Sequence, residues 1–232
     1  MDARRGYVPE DDRNFSPDAL TTLKTASRHI RYLIGEEYDL KQATTFVGNH
    51  FQLSERQRLA IQRSISREEQ LEGRAQRRVP LEALSGRDVW IDGFNQVITL
   101  EVMLSGGILL EGMDGAIRDL ASLRGTYRII EQTPPAIRLL YDGLEAAGVG
   151  RVGILLDRPV SNSGRLKSLL AELGEGRRFG VDISVLDEVD RTLHTKERVI
   201  TSDAVILDAC PSWVNLGAHL LARQGRRGIR VW

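Results

Sequence analysis

The sequence predicts an α/β protein with a Rossmann-like, mainly parallel sheet and helices on both of its faces, preceded by a small all-helical domain. Over residues 16–72 the apolar residues recur at helical spacing. From Asp88 onward, short apolar runs alternate with helical segments, which is the pattern of a parallel sheet. Between these regions, a polar stretch contains Pro80 and Gly86, as linkers often do. We therefore predict a helical domain at residues 1–76, a linker at 77–86 and an α/β domain at 87–232.

The helical domain carries clear signals for helix starts. Ser16-Pro17-Asp18 places an N-cap serine before a proline at the first helical position. Ser54 and Gln57 have the spacing of a capping box. Three short helices, beginning near Ser16, Asp39 and Ser54, are expected to form a small bundle. Exposed apolar surface on such a bundle would suit a homodimer.

The third helix and the residues after it, between Arg56 and Arg78, form the most basic stretch of the chain. One interpretation is a solvated helix face, because glutamates are interleaved with the arginines. The other is a surface that guides the phosphate backbone of a nucleic acid. The residues alone leave both interpretations open.

Apolar runs in the α/β domain predict strands at residues 89–91, 151–157, 181–186 and 199–201. Residues 97–110 are expected to form a helix, a turn at Ser105-Gly106-Gly107 and a short strand at 108–110. Further helices are expected at residues 113–123, 134–147, 163–173 and 214–223. Residues 205–207 are expected to extend the strand that begins at Val199, and residues 229–232 to form a final strand.

Bulk composition narrows the functional classes. The chain has 232 residues and a hydrophobic content of 41%, enough for a packed core. Lys and Arg together number 32, as do Asp and Glu, so no overall positive field points to a polyanionic partner. A single cysteine, Cys210, excludes an intrachain disulfide and a cysteine-rich zinc site. No signal-peptide pattern or membrane-spanning run appears, so we expect a cytoplasmic protein without a membrane partner.

Three aspartates directly follow predicted strands: Asp92, Asp157 and Asp203. Ligands of open α/β sheets bind outside the carboxyl ends of the strands. Carboxylates gathered there repel one another and raise each other's pKa unless a cation joins them. Mg²⁺ or Mn²⁺ prefers such oxygen ligands and supports phosphodiester hydrolysis. The competing interpretation is that each aspartate only caps a helix or starts a turn.

Neighbouring residues add further candidates, each with a structural alternative. Asn95 orients a metal-bound water or a phosphate, or closes the turn after Asp92. Asp114 joins the metal ligands, or caps the helix predicted at residues 113–123. Other acids that compete to complete the site are Glu101, Glu111, Asp119 and Asp208.

The segment from Asp157 to Arg165 is a polar loop that leads into a predicted helix. A helix N-terminus favours anions, so this loop is a candidate to hold a substrate phosphate. Candidate substrate contacts in and near the site are Asn95, Arg118, Arg158, Ser161 and Asn162. The loop lacks a P-loop pattern, and no Gly-x-Gly-x-x-Gly follows a strand, which argues against a dinucleotide enzyme.

The segments Ile91-Asp92-Gly93-Phe94-Asn95 and Val199-Ile200-Thr201-Ser202-Asp203 resemble the PIN/NYN-like nuclease superfamily. Its members commonly open with a strand that ends in Asp, often with Asn three positions later, and carry a late strand that leads to a Ser-Asp or Thr-Asp pair. The resemblance covers about residues 87–232. The chain as a whole resembles a prokaryotic family in which a helical domain of unknown function precedes such a domain.

The resemblance implies metal-dependent cleavage of RNA or DNA, with Asp92, Asp157 and Asp203 at the acidic positions. Our first hypothesis is a Mg²⁺- or Mn²⁺-dependent endoribonuclease, with RNA rather than DNA as partner. This chain departs from the superfamily in the crossover after the first strand, where Glu101, Asp114 and Asp119 compete for the usual second acid. One alternative is a catalytically inactive PIN-like protein that binds nucleic acid or regulates. Another is a phosphohydrolase acting on small molecules.

Overall fold

The computed structural model describes residues 4–121 and 125–232. The chain begins with a helical region, as predicted. Its helices are α1 (Asp11–Asn14), α2 (Pro17–Gly35), α3 (Leu40–His50), α4 (Glu55–Ser64) and α5 (Glu68–Arg77). Ser16 caps α2, and Ser54 and Gln57 form the predicted capping box of α4. The helix α5 and the 3₁₀ turn at Leu81–Leu84 were not predicted as separate elements.

The rest of the chain is α/β. In chain order it contains β1 (Asp88–Asp92), α6 (Gly93–Leu104), β2 (Leu109–Glu111), β3 (Ile117–Asp119), α7 (Thr133–Ala146), β4 (Arg151–Asp157), α8 (Ser163–Gly174), β5 (Gly180–Leu186), α9 (Val189–Leu193), β6 (Val199–Ile200), α10 (Ala204–Ala209) and α11 (Leu216–Arg223). Strands β1, β4, β5 and β6 form one parallel sheet in the order β5-β4-β1-β6. The predicted class, a mainly parallel α/β sheet after a helical region, is confirmed.

The prediction of a helix at residues 113–123 is wrong. Strands β2 and β3 pair antiparallel there, with Leu110 opposite Arg118. Gly115 has a φ of +77°, which the turn requires and which other residues rarely adopt. Asp114 accepts a hydrogen bond from the backbone N–H of Ala116 and holds the turn. The end of the predicted helix, at Ser122 and Leu123, lies outside the described residues.

Two predictions near the C-terminus are also wrong. Residues 205–207 belong to the helix α10, because Asp203 accepts hydrogen bonds from the first N–H groups of that helix instead of continuing the strand. The final segment forms a single bridge, in which Ile229 exchanges backbone hydrogen bonds with Leu109 and Glu111, and no longer ladder. The helix predicted at residues 214–223 is present as α11.

The helical region shares a hydrophobic core with the α/β part. Leu23, Ile30 and Ile61 pack in one buried cluster with Leu110 and Val231. The segment predicted as a linker packs as well, because the backbone N–H of Val79 donates to the Trp213 carbonyl and the backbone N–H of Trp213 donates to the Arg77 carbonyl. The helices α4 and α5 are therefore held next to the sheet. No helix in the described part of the chain is long and apolar enough to cross a lipid bilayer.

Candidate functional site

The strand order creates a crevice between β1 and β6. The chain adds β4 and then β5 on one side of β1, and returns to place β6 on the other side. In open parallel sheets, ligands bind outside the carboxyl ends of the strands at such a reversal of strand order. Asp92 ends β1, and Thr201, Ser202 and Asp203 follow β6. Two of the three predicted aspartates therefore flank the crevice.

Asp92 is buried, with 6% of its surface exposed. Its carboxylate caps α6 by accepting from the backbone N–H of Asn95 at 3.4 Å, and accepts from the Thr201 hydroxyl at 2.9 Å. Burial raises the pKa of Asp92 from 3.8 to about 7; the charges of Asp203 and Asp157 add to the rise, while the Thr201 hydrogen bond opposes it. Asp92 therefore caps a helix, as the structural interpretation of this residue expects, and its pKa is also strongly raised.

Asp157 lies further along the same edge. In the pairing of β1 with β4, Asp92 lies opposite Leu155, so Asp157 is two residues beyond it. At about 3.3 Å per residue and about 4.8 Å between strands, the two Cα atoms are about 8 Å apart. Burial and the charge of Asp190 raise the pKa of Asp157. The carboxylates of Asp92 and Asp157 thus share one electrostatic environment.

Asp190 is a fourth acid of this group and was not predicted from the sequence. It lies on α9, directly after the end of β5. Partial burial and the charge of Asp203 raise its pKa, and the charge of His194 acts in the opposite direction. The signal was present, because β5 ends at Leu186 and Asp187, Glu188 and Asp190 follow it. All four strands of the parallel sheet therefore have acids at or just beyond their carboxyl ends.

Asp114 does not belong to this group, contrary to its predicted role as a metal ligand. It is buried between two guanidinium groups, at 2.7 Å from Arg74 and 2.6 Å from Arg118. Burial opposes ionisation of Asp114, but the hydrogen bonds and charges of Arg118 and Arg74 outweigh it and lower its pKa. Its negative charge is already compensated by protein cations.

The other crossover acids are also held by neighbouring side chains. Glu101 is fully buried and accepts from Arg5 at 2.7 Å, from Tyr127 at 2.7 Å and from Thr133. Asp119 accepts from Thr99 and Arg63. The remaining two are bound in the same way, Glu111 to Arg230 and Asp208 to Arg74 and Gln70. Of these acids, Asp119 also lines a cavity together with Asn95, Ser202 and Asp203.

Asn95 joins the two sides of the crevice. Its side-chain oxygen accepts from the backbone N–H of Ser202 at 2.9 Å and from the Ser202 hydroxyl at 3.0 Å. These bonds fix the end of β6 against the start of α6. Asn95 also lines a cavity at the site, so its holding role and its predicted substrate contact are compatible.

The polar loop after β4 has a different role from the predicted one. Ser161 exchanges two hydrogen bonds with the backbone of Tyr127, and Asn162 donates to the same carbonyl at 2.6 Å. Arg158 bonds Asp187 and the carbonyl of Val185. Ser161 and Asn162 therefore hold the segment around Tyr127 in place and are not free to bind a phosphate.

Arg118 is likewise committed. Besides its paired bonds to Asp114, its Nε donates to the Ser202 carbonyl at 2.8 Å. It lines the site cavity but is 7% exposed. Its position supports a role in orienting the end of β6 rather than the predicted direct contact with substrate.

The cavity beside the acids has a volume of about 230 Å³. It is lined by Asn95, Ser202 and Asp203 at the sheet edge, by Asp119 of β3, and by Gln62 and Arg63 of the helical region. Arg63 is held by the carbonyl and carboxylate of Asp119. The crevice of the sheet is thus covered on one side by α4.

Comparison with known proteins assigns the chain to a family. Residues 81–219 match a family model described as Domain of unknown function (DUF5616). The chain belongs to the DUF5616 family. Residues 22–77 also match a model described as Protein of unknown function (DUF434). The uncharacterized protein MJ0935 of Methanocaldococcus jannaschii is 32% identical over 186 residues, which cover 80% of this chain and 89% of that protein. No solved structure matches the chain.

The site of this DUF5616 protein offers carboxylate oxygens, which are the ligand atoms that a hard cation such as Mg²⁺ binds. Within residues 4–121 and 125–232, no group of three or more His, Cys, Asp or Glu side chains lies close enough to hold a metal ion. Mg²⁺ needs fewer, because it usually takes one or two protein carboxylates and completes its shell with water and substrate phosphate. Asp92 and Asp203, on either side of the crevice, are two carboxylates of the kind that Mg²⁺ binds.

Proposed function

We propose that this protein is a Mg²⁺- or Mn²⁺-dependent nuclease that hydrolyses phosphodiester bonds in RNA. The observation that carries the proposal is the crowding of acids at the reversal of strand order. Burial and the negative charges of Asp203 and Asp157 raise the pKa of Asp92 to about 7. A carboxyl group whose pKa is raised this far by burial and by neighbouring negative charges is typical of a functional site.

A divalent cation would relieve the repulsion among these carboxylates. Asp92 and Asp203 would hold it, with Asp157 and Asp190 nearby to add negative charge. When bound, a cation of this class polarises a phosphoryl oxygen and lowers the pKa of a bound water. Because Asp92 is half protonated near pH 7, cation binding would release a proton from its carboxyl group.

The chain's own residues orient and enclose this chemistry. Thr201 fixes one oxygen of Asp92, and Asn95 fixes Ser202 across the crevice. Arg63, which is paired with Asp119, lines the same cavity as Asp203 and would add positive charge where a substrate phosphate enters. The acids would thus bind the cation while α4 would bind the phosphate.

The resemblance to the PIN/NYN-like superfamily supports the same reaction. The strand that ends in Asp92 and the later Thr201-Ser202-Asp203 are the segments that carry it, and both border the crevice. The superfamily's usual second acid comes from the crossover after the first strand. In this chain the crossover acids Glu101, Asp114 and Asp119 are held by ion pairs or buried hydrogen bonds. We assign the fourth acidic position to Asp190 instead, on its electrostatic link to Asp157 and Asp203.

The test is cleavage of labelled single-stranded RNA by the purified full chain with Mn²⁺, and again with excess chelator. Chelation should abolish cleavage, and Asp92→Asn and Asp203→Asn should lower kcat/KM at least about 100-fold. Asp187→Asn is the matched control, because Asp187 lies at the same edge but is exposed and paired with Arg158. Full activity of Asp92→Asn, or activity that survives the chelator, would contradict the proposal.

A second candidate is a PIN-like protein that binds RNA without cleaving it. The observation that favours it is that no three described acidic, histidine or cysteine side chains are close enough together to hold a metal ion. The two candidates separate in one experiment. RNA binding with no cleavage under Mg²⁺, Mn²⁺, Co²⁺ or Zn²⁺ would select the second.

A further inference from the structure

Three cavities adjoin one another along the surface, from the acids across the helical region. The cavity beside Asp203 shares Ser66 with a second cavity of about 320 Å³. That second cavity shares Arg28 and Tyr32 with a third, of about 520 Å³, which reaches Phe46. The shared lining residues place the three cavities next to one another in a row.

Large aromatic side chains stand exposed along this row of cavities. Tyr32 on α2 is 69% exposed, and Phe46 on α3 is 73% exposed. Both line the third cavity. Exposed aromatic rings grouped in this way mark binding surfaces more often than isolated exposed residues do. Each offers a flat face on which a nucleic-acid base can stack.

Arginines alternate with these rings. Arg28, Arg31 and Arg67 line the second cavity, and Arg28 also lines the third. None of the three forms an ion pair with another described residue; Arg28 bonds Thr25, and Arg67 bonds the carbonyls of Glu37 and Tyr38. Glu68 is the acid that lines the same stretch. The surface therefore keeps a net positive character despite a neutral chain.

We propose that this surface binds single-stranded RNA and leads it to the acids at the sheet edge. We call it the arginine–aromatic track, defined by Arg28, Arg31, Tyr32, Phe46 and Arg67. Its direction toward Asp203 rests on the proposed nuclease function, while its binding of RNA does not. The rings would take the bases, and the arginines would take the phosphates.

Two features favour a single strand over a duplex. Stacking on Tyr32 and Phe46 requires unpaired bases, because the bases of a duplex are already stacked on each other. The cavity at the acid end, about 230 Å³, is smaller than the usual pocket for a drug-sized ligand. It suits one backbone phosphate and its sugar, not a double helix.

The track is less suited to a second copy of this chain. A symmetric dimer through this face would apply the same patch to itself, which turns Arg28 and Arg31 toward their counterparts. Like charges facing each other across an interface are unfavourable. A polyanion avoids that conflict, because each phosphate pairs with an arginine.

The test uses binding alone, so that it does not depend on cleavage. The parent is the full chain carrying Asp92→Asn, and the probe is a fluorescein-labelled oligouridine of about 12 nucleotides, measured by anisotropy in EDTA. The double variant Arg28→Gln with Arg31→Gln should flatten the slope of log K against log salt by about 1.4, from about 0.7 per phosphate contact. Tyr32→Ala and Phe46→Ala should each weaken binding about 10-fold.

The matched control is Arg138→Gln with Lys167→Gln, two exposed cations on α7 and α8 away from the track. This control should bind as the parent does. A duplex of the same length should bind at least about 10-fold more weakly than the single strand. Because Tyr32 and Phe46 are exposed, their variants should keep the parent's thermal unfolding midpoint.

Other outcomes would overturn either the track or the nuclease proposal. No binding by the parent, or equal binding by parent and track variants, excludes the track as an RNA site. A change of mass in light scattering without a change in RNA binding assigns the patch to a second copy of the chain. If the track binds RNA but the unsubstituted protein does not cleave it with Mn²⁺, the nuclease proposal alone is contradicted. If Arg28→Gln with Arg31→Gln, made in the unsubstituted protein, cleaves RNA with Mn²⁺ as well as the unsubstituted protein does, the track alone is contradicted.

Discussion

The hydroxyl of Thr201 donates to the carboxylate of Asp92 over 2.9 Å and so joins the carboxyl ends of β6 and β1. The same oxygen accepts from the backbone N–H of Asp203 at 3.0 Å. One hydroxyl thus connects the two acids that flank the crevice. The hydrogen bond from Thr201 also opposes the rise in the pKa of Asp92 that burial causes.

Stability should fall as pH rises from about 4 to about 7, on account of Asp92. Its folded pKa of about 7 lies above the ordinary 3.8, so in this window the folded state binds more protons than the unfolded state. The contribution is fully present below pH 4 and is lost as pH passes 7. At about 1.4 kcal/mol per pKa unit, the loss is up to about 4 kcal/mol.

Urea unfolding at pH 5 and pH 8 measures this effect. Asp92→Asn, which cannot titrate, should show a smaller change between the two pH values than the unchanged protein. An equal pH dependence in both proteins would mean that Asp92 does not carry the perturbed pKa.

Mn²⁺ should reverse part of that loss. At pH 8 the carboxylate of Asp92 is charged and lies in the field of Asp203, so an ion that joins the two side chains binds the folded state alone. At a concentration about 100 times its Kd, a ligand of this kind stabilises the fold by about 2.7 kcal/mol. Thermal unfolding with and without Mn²⁺ measures the shift, and Asp203→Asn should lack it. A similar shift in Asp203→Asn would place the ion elsewhere.

Asp190→Asn should lower the pKa of Asp157. The charge of Asp190 is one cause of the raised pKa of Asp157, and the amide removes it without changing the size of the side chain. Titration of side-chain carboxyl carbons by NMR would follow Asp157 directly. Glu188→Gln is a suitable control, because Glu188 is exposed nearby and pairs with Arg191. An unchanged pKa of Asp157 would remove Asp190 from the acidic group.

Arg74→Ala should destabilise the fold by about 3–5 kcal/mol. Arg74 is buried on α5, where it pairs with Asp114 at 2.7 Å and with Asp208 at 2.6 Å. Its removal leaves Asp114 with Arg118 alone. Arg78→Ala is the control, since Arg78 is exposed and stacks on Trp213. In chemical denaturation, Arg74→Ala should lose several times more free energy of unfolding than Arg78→Ala. Similar losses in the two variants would contradict the importance of the buried ion pairs.

Glu101→Gln should weaken the fold and leave cation binding intact. Glu101 accepts bonds from Arg5, Tyr127 and Thr133, and an amide cannot satisfy all of these donors, at a cost of about 1–3 kcal/mol. Calorimetric titration with Mn²⁺ should give the Kd of the unchanged protein. A lost Mn²⁺ signal in a folded Glu101→Gln would restore Glu101 as the missing crossover acid.

Much of the site could be predicted because its signals are local. A strand that ends in an acid can be recognised from a few residues, and the same rule identifies Asp92, Asp157 and Asp203. Applied to β5, it would also have pointed to the Asp187–Asp190 segment. The hairpin at residues 109–119 was harder, because its strands have only three residues each, too few for a clear alternation.

The sequence by itself determined the α/β class, the succession of the main strands along the chain and the presence of acids at their ends, since these features depend on local sequence patterns. Only the tertiary structure decided which acids remain without a cation. Asp114 is neutralised by Arg74, forty positions away, while Asp92 is buried beside Asp203 and Asp157. The physical reason is that burial and Coulomb interaction depend on distance in space, which the spacing of residues along the chain does not specify.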